Sequence, residues 1–163
     1  MCKYTKYVNR RFRMTNPVES GKICLEYNCS LCCHETKMLL TNIDVNRISK
    51  LGYKVKSFAK KVSYGWQLKN IDGKCFFLEG NRCKIYEYRP YGCRLYPLIY
   101  DWNKHKVTLD DLCPHKEKFN FQMKDVRKIF FIINLLKKNV ERSYSSAKTS
   151  CKRRNRFLRH AGQ

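Results

Sequence analysis

Ten cysteines in a chain of 163 residues are the feature that most constrains what this sequence can fold into. Eight of them fall between positions 24 and 113, and the stretch from Cys75 to Pro97 places three at spacings of seven and nine residues. The remaining two, Cys2 and Cys151, lie apart from the others and are treated as non-ligands. A chain this rich in thiols must cross-link them, bind metal with them or bury them.

The first twenty residues help to decide between disulfides and metal. They carry several Lys and Arg residues but no apolar run of the kind that a secretory signal has, so we expect an intracellular, cytoplasmic chain. Thiols stay reduced in that compartment, where dense cysteines bind metal more often than they form disulfides. The longest apolar run, Ile129 to Leu136, is interrupted by Asn134 and is too short to span a bilayer. We therefore expect no membrane association.

The run from Cys24 to Cys33 is predicted to be a loop with metal-ligand spacing. Two residues separate Cys29 from Cys32, which lets two thiolates reach one ion. With Cys24 included, the spacing also matches that of plant-type ferredoxins. Cys32 and Cys33 are adjacent, so their side chains tend to point apart. One of the two could serve a second site, bridge two metals or remain a buried thiol.

Three segments together resemble one known family. They are Cys-x2-Cys-Cys at 29–33, Cys-Phe-Phe-Leu at 75–78, and Cys-x-Ile-Tyr-Glu-x-Arg-Pro-x-x-Cys-Arg-x-Tyr-Pro at 83–97. On these motifs the region from 24 to 115 resembles the YkgJ-like cysteine-cluster proteins, the CxxCxxCC family, which are described as zinc- or iron-chelating domains. The four residues between Cys24 and Cys29 depart from the family's usual Cys-x2-Cys opening.

The resemblance implies a pool of thiolate ligands. Thiolates are soft, so they suit zinc, an iron–sulfur cluster or cuprous copper rather than calcium or magnesium. Eight of them fit two four-cysteine sites, or one cluster plus structural thiols. Arg94, which follows Cys93, is expected to contact the ligands, and so are His34 and His115. The predicted ligands are Cys24, Cys29, Cys32, Cys33, Cys75, Cys83, Cys93 and Cys113.

The net charge of +22 is concentrated at the two ends of the chain. Residues 1–23 carry six Lys and Arg against one acid, and residues 126–163 carry eleven against one. Clustered basic charge is typical of proteins that bind a polyanion, so we expect RNA or a ribonucleoprotein as the partner. The predicted contacts lie in an aromatic arm (1–20) and a basic tail (143–163), at Arg10, Arg11, Arg13, Lys152, Arg153, Arg154, Arg156 and Arg159.

Local patterns favour a small α+β domain, stapled by metal, over residues 21–142. Thr41 and Asp44 form a capping-box pattern that predicts a short helix over about 41–51. An apolar period of three and four residues predicts a long helix over about 121–144. Short strands are expected between these helices: a hairpin over 99–109, a strand over 64–68 leading into an Asp72-Gly73 turn, and a strand-like run over 83–88 followed by a turn at 89–92.

No catalytic arrangement is recognisable, so we expect a non-catalytic metal-binding factor. The 13 acids show no paired arrangement, the four His are isolated, and the seven Gly form no loop for a nucleotide or S-adenosylmethionine. Two alternatives stay open. One is an iron–sulfur redox or methyl-transfer protein, since the flagellin lysine methylases, which are larger, carry a similar cysteine cluster. The other is a metal chaperone or store.

Overall fold

The computed structural model describes residues 16–17, 21–63 and 65–138. Within these ranges short helices and short strands form a mixed α+β fold, which confirms the expected class. None of the helices described there has the length and apolarity needed to cross a bilayer. The helices are α1 (Lys22–Glu26), α2 (Asn42–Ser49), α3 (Val55–Phe58), α4 (Tyr91–Leu95) and α5, which is helical from 123 to the last described residue at 138.

The described strands are short, and their bounds are β1 (Asn16–Pro17), β2 (Leu39–Leu40), β3 (Ala59–Val62), β4 (Gly65–Leu68), β5 (Asn70–Ile71), β6 (Lys74–Cys75), β7 (Leu78–Glu79), β8 (Arg82–Cys83), β9 (Leu98–Asp101), β10 (Lys106–Leu109) and β11 (Phe119–Asn120). They pair mostly as antiparallel neighbours, and β1 with β11 is the parallel pair among the described strands. One sheet has three strands in the order β2–β4–β3, whereas β5–β6, β7–β8 and β9–β10 are hairpins.

Both predicted helices are present. The capping box of α2 is confirmed: Asp44 N donates to Thr41 Oγ1 at 3.1 Å, and Thr41 N donates to Asp44 Oδ2 at 3.0 Å. The long helix begins at 123 rather than 121, because the Asp125 carboxylate accepts from Gln122 N at 2.9 Å and so caps the chain at that point. Its predicted end at 144 lies outside the described residues.

The predicted hairpin over 99–109 and the predicted Asp72-Gly73 turn are both confirmed. Asp72 and Gly73, with φ of 48° and 75°, make the two-residue turn between β5 and β6, since that turn needs a left-handed backbone at both positions. The β9–β10 hairpin turns through 102–105, where Asp101 Oδ1 accepts from the backbone N–H groups of Asn103 and Lys104 at 2.9 and 3.1 Å. In both hairpins the turn residues set the register of the strands.

The prediction of a strand-like run over 83–88 is wrong. Pairing stops at Cys83, and Tyr86–Tyr88 forms a 3-10 turn that directs the Tyr86 hydroxyl to the carbonyl of Gly21 at 3.0 Å. The predicted turn over 89–92 is also wrong in part, since Tyr91 already belongs to α4. A partner 47 residues away stabilises that helix start: Asp44 Oδ1 accepts from Tyr91 N at 3.0 Å.

The buried apolar side chains form two separate clusters, named here the first and the second core. The first core packs α2 and α3 on the three-stranded sheet and consists of Leu40, Val45, Ile48, Phe58, Ala59, Leu68, Cys75, Phe77 and Ile85. The second core packs α1, α4 and β9 on α5 and consists of Ile23, Leu95, Leu98, Cys113, Phe119, Ile129 and Ile132. Each core is small, and each includes a cysteine.

Asp44 connects α2 to the segment that leads into α4. This carboxylate is only 1% exposed, yet it accepts from Thr41, from Tyr91 N and from Arg47 Nη2, the last at 3.2 Å. Arg47 in turn donates to the carbonyl of Arg89 at 2.5 Å. A buried charge is tolerated only when its hydrogen bonds are satisfied, so Asp44 holds both segments in one fixed arrangement.

Asp44→Ala should therefore destabilise the fold far more than the loss of an exposed acid. We expect the free energy of unfolding to fall by about 3 kcal/mol, because the N–H groups of Tyr91 and of the helix start lose their acceptor. Urea unfolding followed by circular dichroism measures the change. Glu117→Ala, at an exposed position, is the control and should stay within about 0.5 kcal/mol. Equal losses in the two variants would contradict the role given to Asp44.

Candidate metal centre

The eight cysteines that the structure describes are free thiols, and they fall into two sets of four. Set A lines one small pocket beside the second core and consists of Cys24, Cys29, Cys32 and Cys113. Set B packs with the first core and consists of Cys33, Cys75, Cys83 and Cys93. A cleft of about 920 Å³ brings the sets together, since seven of the eight cysteines line it.

Short backbone turns place the members of set A. Cys24 lies on α1, and the chain then reverses so that Cys29 N donates to the carbonyl of Cys24 at 2.9 Å. Asn28 makes this turn with a left-handed φ of 46°, a conformation that Asn adopts more readily than most residues. Cys113 arrives from the loop after β10, where its N–H donates to Asp110 O at 3.1 Å. The pocket of set A is thus built from segments about eighty residues apart in the chain.

Four separate elements bring the members of set B together. Cys33 ends a 3-10 turn (Leu31–Cys33), Cys75 lies on β6, Cys83 on β8 and Cys93 on α4. In the β7–β8 hairpin Cys83 lies opposite Leu78, and Leu78 follows Cys75 by three residues. Against the first core, Cys75 is buried and the other three thiols are half-buried.

Burial and mutual proximity make most of these thiols harder to ionise. Burial, followed by the charges of Cys32, Cys29 and Cys113, raises the pKa of Cys24 to about 11. Burial raises the pKa of Cys93 well above its usual value, and Cys75, Cys32 and Cys83 add to that rise. The neighbours that act on each thiol follow the division into sets, with Cys32 acting on both. A metal must therefore displace protons from these sulfurs when it binds.

The adjacent pair Cys32–Cys33 is the junction between the sets. A hydrogen bond from the Cys33 thiol lowers the pKa of Cys32 to about 7, against the effect of burial. The same hydrogen bond, together with burial, raises the pKa of Cys33. Of the three roles considered for this pair, the structure favours one residue in each set, because Cys32 lines the pocket of Cys24 and Cys113 while Cys33 packs on the first core.

Arg89 is a residue beside the thiols that sequence reasoning missed. It lines the same cleft as both sets, and its guanidinium lies over the ring of Tyr86 at 3.8 Å. Burial raises the pKa of Cys83 and of Cys93, and the positive charge of Arg89 acts against that rise. The signal available in the sequence was its place between two predicted ligands, but nothing local distinguished it from Arg94.

The residues predicted to contact the ligands have different surroundings. His34 is exposed at the edge of the cleft, with Nε2 at 3.5 Å from Ser30 Oγ. His115 lines the pocket of set A and stacks on Tyr27 with ring centroids 4.4 Å apart. Arg94 is half-buried in the last turn of α4, and no contact between its side chain and a thiol is found in the described part of the chain. A ligand-contacting role for these three stays a prediction.

The basic residues predicted to bind RNA lie outside the described residues. This holds for all eight of them: Arg10, Arg11, Arg13, Lys152, Arg153, Arg154, Arg156 and Arg159. Cys2 and Cys151 are outside as well.

The donor chemistry of the two sets fits zinc or an iron–sulfur cluster. Four soft thiol ligands per set match the four cysteines that a structural zinc site or an iron–sulfur cluster uses. Among the described residues, no three His, Cys, Asp or Glu side chains already stand in the geometry of a metal site. A metal held by either set would therefore need the thiol side chains of that set to rotate towards a common point.

Comparison with known proteins gives two matches. Residues 23–152 match the family model whose description reads "CxxCxxCC: Putative zinc- or iron-chelating domain". A stretch of 91 residues is 33% identical to an uncharacterized protein of Methanocaldococcus jannaschii, and it covers 50% of this chain and 48% of that protein. The chain thus spans about half the length of this curated relative. No solved structure matches.

Gly21 lies against the Tyr86 hydroxyl and should tolerate no side chain. Its φ is 60°, and a Cβ there would overlap the Tyr86 hydroxyl that donates to its carbonyl. Gly80 is a matched control, since it has a φ of 56° with open space around it. We expect Gly80→Ala to cost about 1 kcal/mol of unfolding free energy through its left-handed backbone. Gly21→Ala should cost a further 1–3 kcal/mol, roughly, through overlap with Tyr86.

A double-mutant cycle with Tyr86→Phe separates strain from overlap. Without the hydroxyl the extra cost of Gly21→Ala should shrink, because the overlapping atom is gone. Urea unfolding of the four proteins gives the coupling free energy. Additive effects would contradict the contact between Gly21 and Tyr86.

Proposed function

Because the chain belongs to the CxxCxxCC family of zinc- or iron-chelating cysteine-cluster domains, we propose that it binds two soft metal centres, one at set A and one at set B. The observation that carries this proposal is the division of eight thiols into four and four, each set against its own core. The adjacent pair Cys32–Cys33 supplies one ligand to each centre. With one residue of this pair in each centre, all eight described cysteines are used as ligands.

The metals act on the fold itself. Each core is small, and cysteines of each set pack in or against one of them, so binding energy at either set is also energy of folding. Zinc would supply this stabilisation alone, whereas an iron–sulfur cluster would add electron transfer. In both cases the chain's own residues place the sulfurs: α1 and α4 orient Cys24 and Cys93, and the β6 and β8 strands orient Cys75 and Cys83.

Serine substitutions test whether the two sets are separate centres. Protein purified without air should hold two centres by elemental analysis and visible absorption. Cys24→Ser should lower occupancy at set A and Cys93→Ser at set B, each leaving about half of the metal, since a serine hydroxyl is a poor ligand for soft metals. The matched controls are Cys2→Ser and Cys151→Ser, which should keep the full content.

Each outcome has a distinct meaning. Loss of all metal in either single variant would overturn the division into two centres, and absence of metal from the wild-type protein would overturn metal binding altogether. Iron with acid-labile sulfide would favour the redox or methyl-transfer alternative, with colourless zinc favouring a structural role. Metal that exchanges readily with a chelator would favour a chaperone or store.

We propose further that the folded domain, and not only its termini, binds RNA. Support comes from the lysine segment, residues 50–69, which has no acidic residue and lies within an acid-free stretch from 45 to 71. Lys54, Lys56, Lys60 and Lys61 are exposed there, and Lys61 Nζ lies 4.4 Å from the ring centroid of the half-buried Trp66. RNA-binding surfaces combine cations, which contact the phosphates, with aromatic rings, on which unstacked bases stack.

Neutralising two lysines of this segment should weaken RNA binding. We expect the double substitution Lys60→Gln and Lys61→Gln to reduce the steepness of log K against log salt by up to about 1.4 for a single-stranded oligonucleotide, since each phosphate contact on a single strand contributes about 0.7. Lys104→Gln with Lys106→Gln is the matched control, in a hairpin where Asp101 lies 3.6 Å from Lys104. Fluorescence anisotropy at several salt concentrations measures the slopes. An equal loss in both variants, or no binding at low salt, would refute this role.

A further inference from the structure

We propose that Arg89 is the counter-ion shared by set A and set B, a positioning residue that allows both sets to hold metal at the same time. This inference rests on the proposed metal binding. It assigns to one side chain the task of offsetting the negative charge that two neighbouring thiolate centres accumulate.

The position of Arg89 between the segments of the two sets carries the proposal. Its Nε donates to the carbonyl of Tyr86 at 2.9 Å while its guanidinium lies over the Tyr86 ring. The Tyr86 hydroxyl donates to Gly21, three residues before Cys24 of set A. A Cβ built on Gly21 would lie 3.0 Å from Arg89 Nη2, so the guanidinium rests against that backbone. Arg89 itself lies between Cys83 and Cys93 of set B.

The backbone on either side of Arg89 is held in place. Its carbonyl accepts from Arg47 Nη2, and the next two residues are the buried Pro90 and the Tyr91 whose N–H donates to Asp44. Proline also restricts the preceding residue to an extended backbone, as the φ of −48° and ψ of 144° at Arg89 show. The Arg89 side chain therefore extends into the cleft from a fixed backbone, so it loses little conformational entropy when it acts there.

Charge explains why a cation is needed at this junction. A zinc ion held by four thiolates has a net charge of about −2, and two such centres side by side repel each other. A guanidinium stays protonated at any physiological pH and is weakly hydrated, which suits a partly buried site. The cleft that Arg89 lines is also lined by Cys24 of set A and by Cys83 and Cys93 of set B, so one guanidinium lies beside both sets.

The binding of the second metal should therefore depend most on Arg89. With one set loaded the local charge is modest, and the repulsion appears only when both are loaded. We expect Arg89→Gln to weaken the second binding step by about 10–100-fold, the usual effect of losing a residue that supports metal ligands. Arg89→Lys should recover much of that loss because it keeps the charge, although it gives up the planar contact with Tyr86.

Titration of the reduced full-length protein with Co²⁺ tests this directly, since sulfur-to-cobalt absorption reports thiolate binding and a competing chelator sets the affinity scale. Arg127→Gln is the control, because Arg127 is an exposed arginine of α5 that lines neither the cleft nor the pocket of set A. The proposal is supported if Arg89→Gln weakens the second step and Arg127→Gln does not. Equal effects of the two substitutions would overturn it.

A second background keeps the test decisive if Arg89→Gln perturbs folding. In Cys93→Ser protein, where set B is disabled, removing Arg89 should affect Co²⁺ binding at set A much less than it affects the second step in the full protein. A loss of the same size in both backgrounds would mean that Arg89 only supports the fold, and the proposal would fail. Wild-type protein that bound no Co²⁺ would instead refute the proposed function.

Discussion

The adjacency of Cys32 and Cys33 in the chain is the constraint on which the arrangement of the two thiol sets depends. One residue faces the pocket of the second core and the other packs on the first, so a single peptide bond joins the two thiol sets. Adjacent residues cannot easily direct both side chains to one ion. The conflict would disappear if each served its own set, and metal held by both sets would then join two small cores that would be marginal alone.

Asp44 is the second constraint, and it acts over a long distance in the chain. A carboxylate that caps its own helix is ordinary, but this one also accepts from Tyr91 N and Arg47. Its burial makes every one of these hydrogen bonds obligatory. These hydrogen bonds also affect the position of the cysteines, because the segment that Asp44 holds in place contains Arg89 and leads into Cys93. The geometry beside set B is thus determined by a residue that touches no thiol in the described structure.

Membership of the CxxCxxCC family and the strong positive charge describe two properties of one chain. Metal at the two sets would fix the relative position of the elements that carry the lysine segment, since β3 and β4 pack on the first core together with set B. Metal occupancy and polyanion binding would then be thermodynamically linked, with the loaded domain presenting a defined basic surface.

The sequence by itself determined the elements with local causes. The capping box of α2, the apolar period of α5 and the Asp72-Gly73 turn all depend on residues within a few positions of each other, and the motif around Cys83 and Cys93 identified the family. Only the tertiary structure decided the division of the thiols into sets, the 3-10 turn at Tyr86–Tyr88, the start of α4 and the place of Arg89. Each of these depends on a partner far along the chain, such as Gly21 for Tyr86 or Asp44 for Tyr91, and spacing carries no information about such partners.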